Sequence, residues 1–137
     1  IAPEAGSERM RRVINKNLTE PDILRAADLL IGEGVPDLKL YFMIGLPTET
    51  EEDVQAIADL TAKIAARVAR PQRGARRVGG VTTSINPFVP KPWTPFQWDP
   101  MEQATSVKAK IARLRAALRR VPNTKIDIES PREAFFQ

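Results

Sequence analysis

Any chemistry in this sequence has to come from carboxylates, lysines, hydroxyls and bare backbone, because its 137 residues include no cysteine and no histidine. Without thiolates there is no disulfide and no sulfur-ligated metal, and without imidazole the commonest base and ligand near neutral pH is missing. A metal would fall to carboxylates alone. The candidate polar groups gather at three places where an apolar run gives way to a turn: residues 3–7, 41–51 and 86–98. The first holds Glu4 and Ser7, with Lys16 shortly after. The second carries Tyr41, Ile44, Gly45 and Pro47. The third sets Asn86, Phe88, Lys91, Trp93, Gln97 and Trp98 among prolines. Such groups share a site only if all three places are exits of parallel strands, where loops meet the free N–H groups of helix N-termini.

The elements between them read as that arrangement. Ser7 is an N-cap residue, and Met10, Val13 and Ile14 follow at helical spacing, predicting a short helix to about Asn15. Thr19 with Asp22 offers a second start, with Leu18 and Ile23 as its staple. Ile23, Leu24, Ala27, Leu30 and Ile31 make the stripe, which ends before Gly34. Leu38 to Ile44, apolar or aromatic past Lys39, is too short for a separate helix and predicts a strand covered on both faces. Thr48 with Glu51, or Thr50 with Asp53, can cap the next helix. Val54, Ile57, Ala58, Ile64 and Val68 form its buried stripe, with Leu60 at the edge and Pro71 as the stop. Val81 to Asn86 predicts a second buried strand. Five prolines between Pro87 and Pro100 then forbid helix and central strand alike. Val107, Ile111, Leu114 and Leu118 mark a helix beginning near Pro100, and Thr124 to Ile128 alternates as a last strand. Helix and strand alternate, so the expected class is α/β with right-handed crossovers and a parallel sheet of three or four strands, the first ending before Ser7.

With 42% apolar residues the chain can bury a core as one domain. No apolar run approaches the roughly 18 residues that span a bilayer. The opening residues lack the pattern of an export signal, so the expected setting is cytoplasmic. The 21 basic residues exceed the 17 acidic ones through two local clusters. One is Arg67, Arg70, Arg73, Arg76 and Arg77, the other Lys108, Lys110, Arg113, Arg115, Arg119 and Arg120. Either is a solvated helix face or a contact for nucleic acid or another acidic partner.

Two motifs carry a resemblance. Pro3-Glu4-Ala5-Gly6-Ser7-Glu8-Arg9-Met10, continuing to Lys16, resembles the E-x-G-S stretch after the fourth barrel strand of radical S-adenosylmethionine (radical SAM) enzymes. Tyr41 to Thr50 is similar to their fifth strand, an apolar run ending in G-L-P-x-E-T. The order and separation of the two motifs are those of the family. The segment VTTSINPFVPKPWTPFQW resembles the sixth strand of the branch with an N-terminal cobalamin-binding domain. The resemblance implies the C-terminal portion of a (β/α) TIM-type barrel, a fragment of a larger protein. The C-x-x-x-C-x-x-C motif that holds the family's [4Fe-4S] cluster lies well upstream in that family and is missing from these residues.

What the resemblance implies for single residues stands beside a plainer account of each. Glu4 would accept hydrogen bonds from the cofactor's ribose hydroxyls, or is a helix-start acid favoured by the dipole. Ser7 would touch the cofactor, or caps a helix. Lys16 would pair with the methionine carboxylate, without the fork of the arginine found in many relatives, or is an ordinary exposed residue. Gly45 would let backbone approach the adenine, or simply turns the chain with Pro47. Tyr41 and Ile44 would flank the adenosine, or belong to the core. Asn86, Phe88, Lys91 and Trp93 would line the substrate side, or form a packed cover or a proline-rich docking segment. The implied activity of the intact protein is reductive cleavage of S-adenosylmethionine to a 5′-deoxyadenosyl radical that takes hydrogen from a substrate. The competing reading is a basic interaction module. Open sheet edges also lead us to expect self-association.

Overall fold

The first turn of a helix leaves N–H groups without partners, and three of the four helices begin where a side chain can take one up. The computed structural model describes residues 1–70, 78–93 and 95–128. Helix α1 (Glu8–Val13) starts at Ser7, whose Oγ accepts from the Met10 N–H at 3.1 Å. Helix α2 (Glu20–Gly32) is closed by the reciprocal bonds of Thr19 and Asp22. For α3 (Glu51–Val68), Thr50 and Asp53 form the box, and Thr48 stands outside it with φ +67°. Helix α4 (Ala104–Arg119) begins later than Pro100 suggests and has no side-chain cap.

Strands β1 (Asp37–Ile44), β2 (Gly80–Pro87) and β3 (Thr124–Ile128) form one parallel sheet in that order. The N-terminal run adds a fourth parallel row beside β1. Tyr41 N–H donates to Ile1 O at 3.1 Å, Glu4 N–H to Tyr41 O at 3.0 Å, and Met43 N–H to Glu4 O at 2.8 Å. The result is an open parallel α/β sheet with covering helices, the architecture of part of a TIM-type barrel. No helix among the described residues is long and apolar enough to cross a membrane. Arg73, Arg76 and Arg77 of the first basic cluster lie outside the described residues.

Two expectations are corrected. Strand β1 is not covered on both faces: its burial alternates, with Leu38, Leu40, Phe42 and Ile44 inside and Asp37, Lys39 and Tyr41 outside. The helices pack on one face alone, and the other is polar along all three strands, with Lys39, Tyr41, Thr82, Ser84, Lys125 and Asp127 in register. Lys39 reaches Asp127 at 3.6 Å across the intervening strand. Leu60 is not at the edge of its stripe but 3% exposed, because α3 is wedged between α2, α4 and the sheet and buries a wider arc than one stripe. Within that arc Thr61 donates to Ile57 O at 2.8 Å and meets Thr83 Oγ1 of β2 at 3.3 Å, so the buried hydroxyls are satisfied.

The E-x-G-S turn packs on the start of α3 through Gly6. A Cβ there would sit 2.3 Å from the backbone nitrogen of Ile57, which cannot yield as a side chain tip can. Gly6→Ala is therefore expected to destabilise the fold by about 2 kcal/mol, read as a lowered urea midpoint with unchanged slope.

Candidate functional site

All the rows being parallel, their carboxyl ends lie at one rim. Glu4 stands beside Phe42, three residues before Gly45, and Met43 is in register with Asn86 and Ile44 with Pro87. The exits at 3–7, 41–51 and 86–98 therefore converge. Three of the five non-glycine residues with positive φ among the described residues sit there: Glu4 (+69°), Thr48 (+67°) and Trp93 (+64°). Each such conformation costs about 1–2 kcal/mol and persists only where its surroundings enforce it.

At Glu4 the enforcement is visible. Its N–H and C=O are both held by β1, so the chain must leave the sheet abruptly to enter α1 at Ser7. The Glu4 carboxylate, about one-third exposed, is 3.6 Å from the Lys16 ammonium, which is equally exposed. Beside this pair opens a groove of about 510 Å³. Glu4, Tyr41, Asn86, Phe88 and Lys91 line it, and Phe96 packs edge-on against Phe88 with ring centres 5.8 Å apart. That volume falls in the range of small-molecule sites. An anionic acceptor, a cation, an aromatic ring and a side-chain amide thus border one space.

Other candidate residues lie elsewhere. Ser7 is engaged twice, accepting from Met10 N–H and donating to Asp53 Oδ1 at 2.6 Å. Asp53 also receives Arg9 and Thr50; burial pushes its carboxyl up, but these hydrogen bonds outweigh that and hold it well below the usual carboxylate range. Ile44 is wholly buried on the helix side of β1. Pro47 is half-buried beyond the strand end. Trp93 is turned to solvent, 93% exposed, with its N–H donating to Gln97 Oε1 at 3.2 Å.

Gly45 marks a feature the sequence reading missed. Its φ of +78° demands glycine, and the space a Cβ would take is faced by Glu102, whose Oε2 would be 3.1 Å away. The Gly45 N–H donates to Glu49 Oε1 at 2.9 Å. Glu49 stands before α3, which begins at Glu51; its side chain is 3% exposed and meets Lys110 of α4 at 2.7 Å. Lys110 also reaches Glu102 at 2.6 Å, while Glu102 Oε2 is buried with no partner among the described residues. Burial pushes the Glu49 carboxyl up despite Lys110 and Gly45, and Lys110 is pushed down by burial but raised on balance by its two carboxylates. The only local signal was that Lys110 falls between the apolar positions Val107, Ile111 and Leu114, close to the buried stripe.

Comparison with known proteins adds relationships to this geometry. A family model described as the Radical SAM superfamily matches residues 1–61. An uncharacterized protein of Methanocaldococcus jannaschii is 42% identical over 120 residues, 88% of this chain and 24% of that protein. Two relatives named tRNA-2-methylthio-N(6)-dimethylallyladenosine synthase, from Jannaschia sp. and Caldicellulosiruptor saccharolyticus, are 40% and 35% identical over 63 residues. Each of those matches covers 44% of this chain and 13% of the synthase. The chain thus spans a quarter or less of each of these three relatives. No solved structure matches it.

The Glu49, Lys110 and Glu102 cluster yields a test. Lys110→Met leaves two carboxylates facing one another without a counter-charge and should cost about 3 kcal/mol at neutral pH. Glu49 already has a raised folded pKa, so its ionisation costs stability, and losing Lys110 raises that pKa further. The variant should accordingly regain stability as the pH falls toward 4, and adding Glu49→Gln should restore most of it at pH 7. Denaturant midpoints between pH 4 and 8 measure both effects.

Proposed function

We propose that this chain, a member of the radical SAM superfamily, forms the part of the barrel rim that holds S-adenosylmethionine and faces the substrate. One observation carries the proposal: a carboxylate and an ammonium stand together at the common exit of parallel strands, next to a groove of nucleoside size. In this reading Glu4 accepts hydrogen bonds from the two ribose hydroxyls, and Lys16 donates to the methionine carboxylate. Tyr41 lies along the adenosine, while Asn86, Phe88 and Lys91 bound the substrate side. Ser7, Ile44, Gly45 and Pro47 act behind them, setting the shape of the rim. The Glu4–Lys16 pair is no obstacle, because a part-exposed ion pair 3.6 Å apart is worth at most about 1 kcal/mol and opens readily.

The residues present fit the nucleoside and the amino-acid end of the cofactor. They do not fit an iron–sulfur cluster, since the chain has no thiolate to hold one. In the complete protein the cluster's cysteines belong to other residues, and the chemistry that S-adenosylmethionine supplies there is the radical-forming cleavage of a carbon–sulfur bond. A cobalamin-binding domain in that protein rests on the likeness of the proline-rich exit alone. The work of this chain is to bind, orient and keep water from the reacting end.

In the complete protein, Glu4→Gln and Lys16→Met should each weaken S-adenosylmethionine binding by roughly ten- to thirtyfold, since each removes one charge-assisted contact. Titration calorimetry measures this, and wild-type affinity in both variants would remove the proposal. A three-cysteine motif is expected upstream in the complete gene.

A second reading concerns the partner. The outer face of α4 exposes Lys108, Arg115, Arg119 and Arg120, and two relatives are named for a tRNA nucleoside. We propose that this face contacts nucleic acid. Binding of transfer RNA should then fall steeply between 50 and 200 mM salt, and Arg115→Gln with Arg119→Gln should flatten that dependence; a salt-independent response would dismiss the reading.

A further inference from the structure

We infer that Arg11 is the positioning residue of this rim, a buried clamp that sets Glu4 and Lys16 at their working separation. The inference rests on the roles proposed for those two residues.

Arg11 is 1% exposed, buried like the apolar core, yet among the described residues its side chain donates to backbone carbonyls and to no carboxylate. Burial pushes its pKa down, and Glu8 and Glu20 offset this only from a distance. Packing alone gives no reason to keep a guanidinium there, because an apolar side chain of similar volume serves a core as well or better. Its donors show another use. Nη1 donates to Ala5 O at 3.0 Å and Gly6 O at 3.1 Å, the two carbonyls that follow Glu4. Nε donates to Leu18 O at 2.7 Å, two residues beyond Lys16. The backbone carbonyl of Arg11 accepts from Lys16 N–H at 2.7 Å.

One residue therefore ties down both arms that carry the charged pair. The arm before α1 holds Glu4 in a left-handed conformation it does not prefer, and the arm after α1 has left the helix. Neither arm is stiff by itself. A planar fork with fixed donor directions determines the distance between them, which a flexible ammonium does not. Arg11 touches neither cofactor nor substrate in this account; it acts through Glu4 and Lys16.

The test uses the complete protein with two variants. Arg11→Met keeps the volume and removes every donor. Arg11→Lys keeps the charge and loses the fork, so it remains informative if the first variant folds poorly. Arg11→Met should bind S-adenosylmethionine roughly tenfold or more weakly and Arg11→Lys several-fold more weakly, since displacements of about 1 Å in a positioned site have effects of this size. Amide hydrogen exchange separates positioning from general damage. The amides of Met43 and Lys16, bonded to Glu4 O and Arg11 O, should exchange faster in both variants, while those of Ile64 and Ile111 keep their protection. Unchanged exchange at Met43 and Lys16, or equal acceleration at all four amides, would overturn the inference, as would wild-type affinity in Arg11→Lys. If Glu4→Gln and Lys16→Met bind normally, it is the proposed cofactor site that fails; the exchange data still decide whether Arg11 clamps the arms.

Discussion

The parallel pairing of residues 1–4 with β1 is the constraint on which the rest of this structure depends. Three backbone hydrogen bonds between Ile1, Glu4 and the Tyr41–Met43 segment put the end of one row beside the end of the next. Because the rows run in one direction, every chain exit on that side faces the same space. Had the first segment paired antiparallel, Glu4 would lie at the far end from Asn86 and no groove would join them. The strained conformation of Glu4 follows from the same pairing, since the residue is held on one side by the sheet and pulled on the other toward the N-cap of α1.

Charge is handled differently on the two sides of that rim. Behind it, carboxylates are buried with partners: Asp53 among Ser7, Arg9 and Thr50, and Glu49 against Lys110 and the Gly45 amide. These clusters lock α1 to α3 and α4 to the β1 exit, and their desolvation is offset by hydrogen bonds rather than by Coulomb attraction alone. At the rim itself the Glu4–Lys16 pair stays part-exposed and weakly held, so it opens at little cost. Pairing is thus firm beneath the rim and loose upon it.

The open face of the sheet gives the same division. Its helix side is filled by Leu40, Phe42, Ile44, Val81 and Ile85, whereas the other side presents Lys39, Tyr41, Thr82 and Asp127. A packed barrel interior favours branched apolar residues, whereas this face of the sheet carries polar and charged ones. The groove at the carboxyl rim is likewise bordered by both charged and aromatic groups.

Much of this was legible in one dimension. Capping pairs, apolar periodicity and prolines act over four residues or fewer, so Thr19 with Asp22, the stripe of α3 and the break after Pro87 could be read directly. The motifs around Glu4 and Gly45 likewise named a family before any coordinates. The sequence left open which of two capping threonines starts α3, and it pointed wrongly to Leu60 at the edge of the stripe and to β1 covered on both faces, where Leu60 is buried and β1 is covered on one face. Those answers depend on neighbours brought from 20 or more residues away. Only the tertiary structure could reveal that Glu49 meets Lys110, sixty-one positions on, that Glu102 lies over Gly45, or that Arg11 reaches back to Ala5 and forward to Leu18. Periodicity records how often a side chain faces inward, but not which atom it will find there, and a buried charge is defined by that atom.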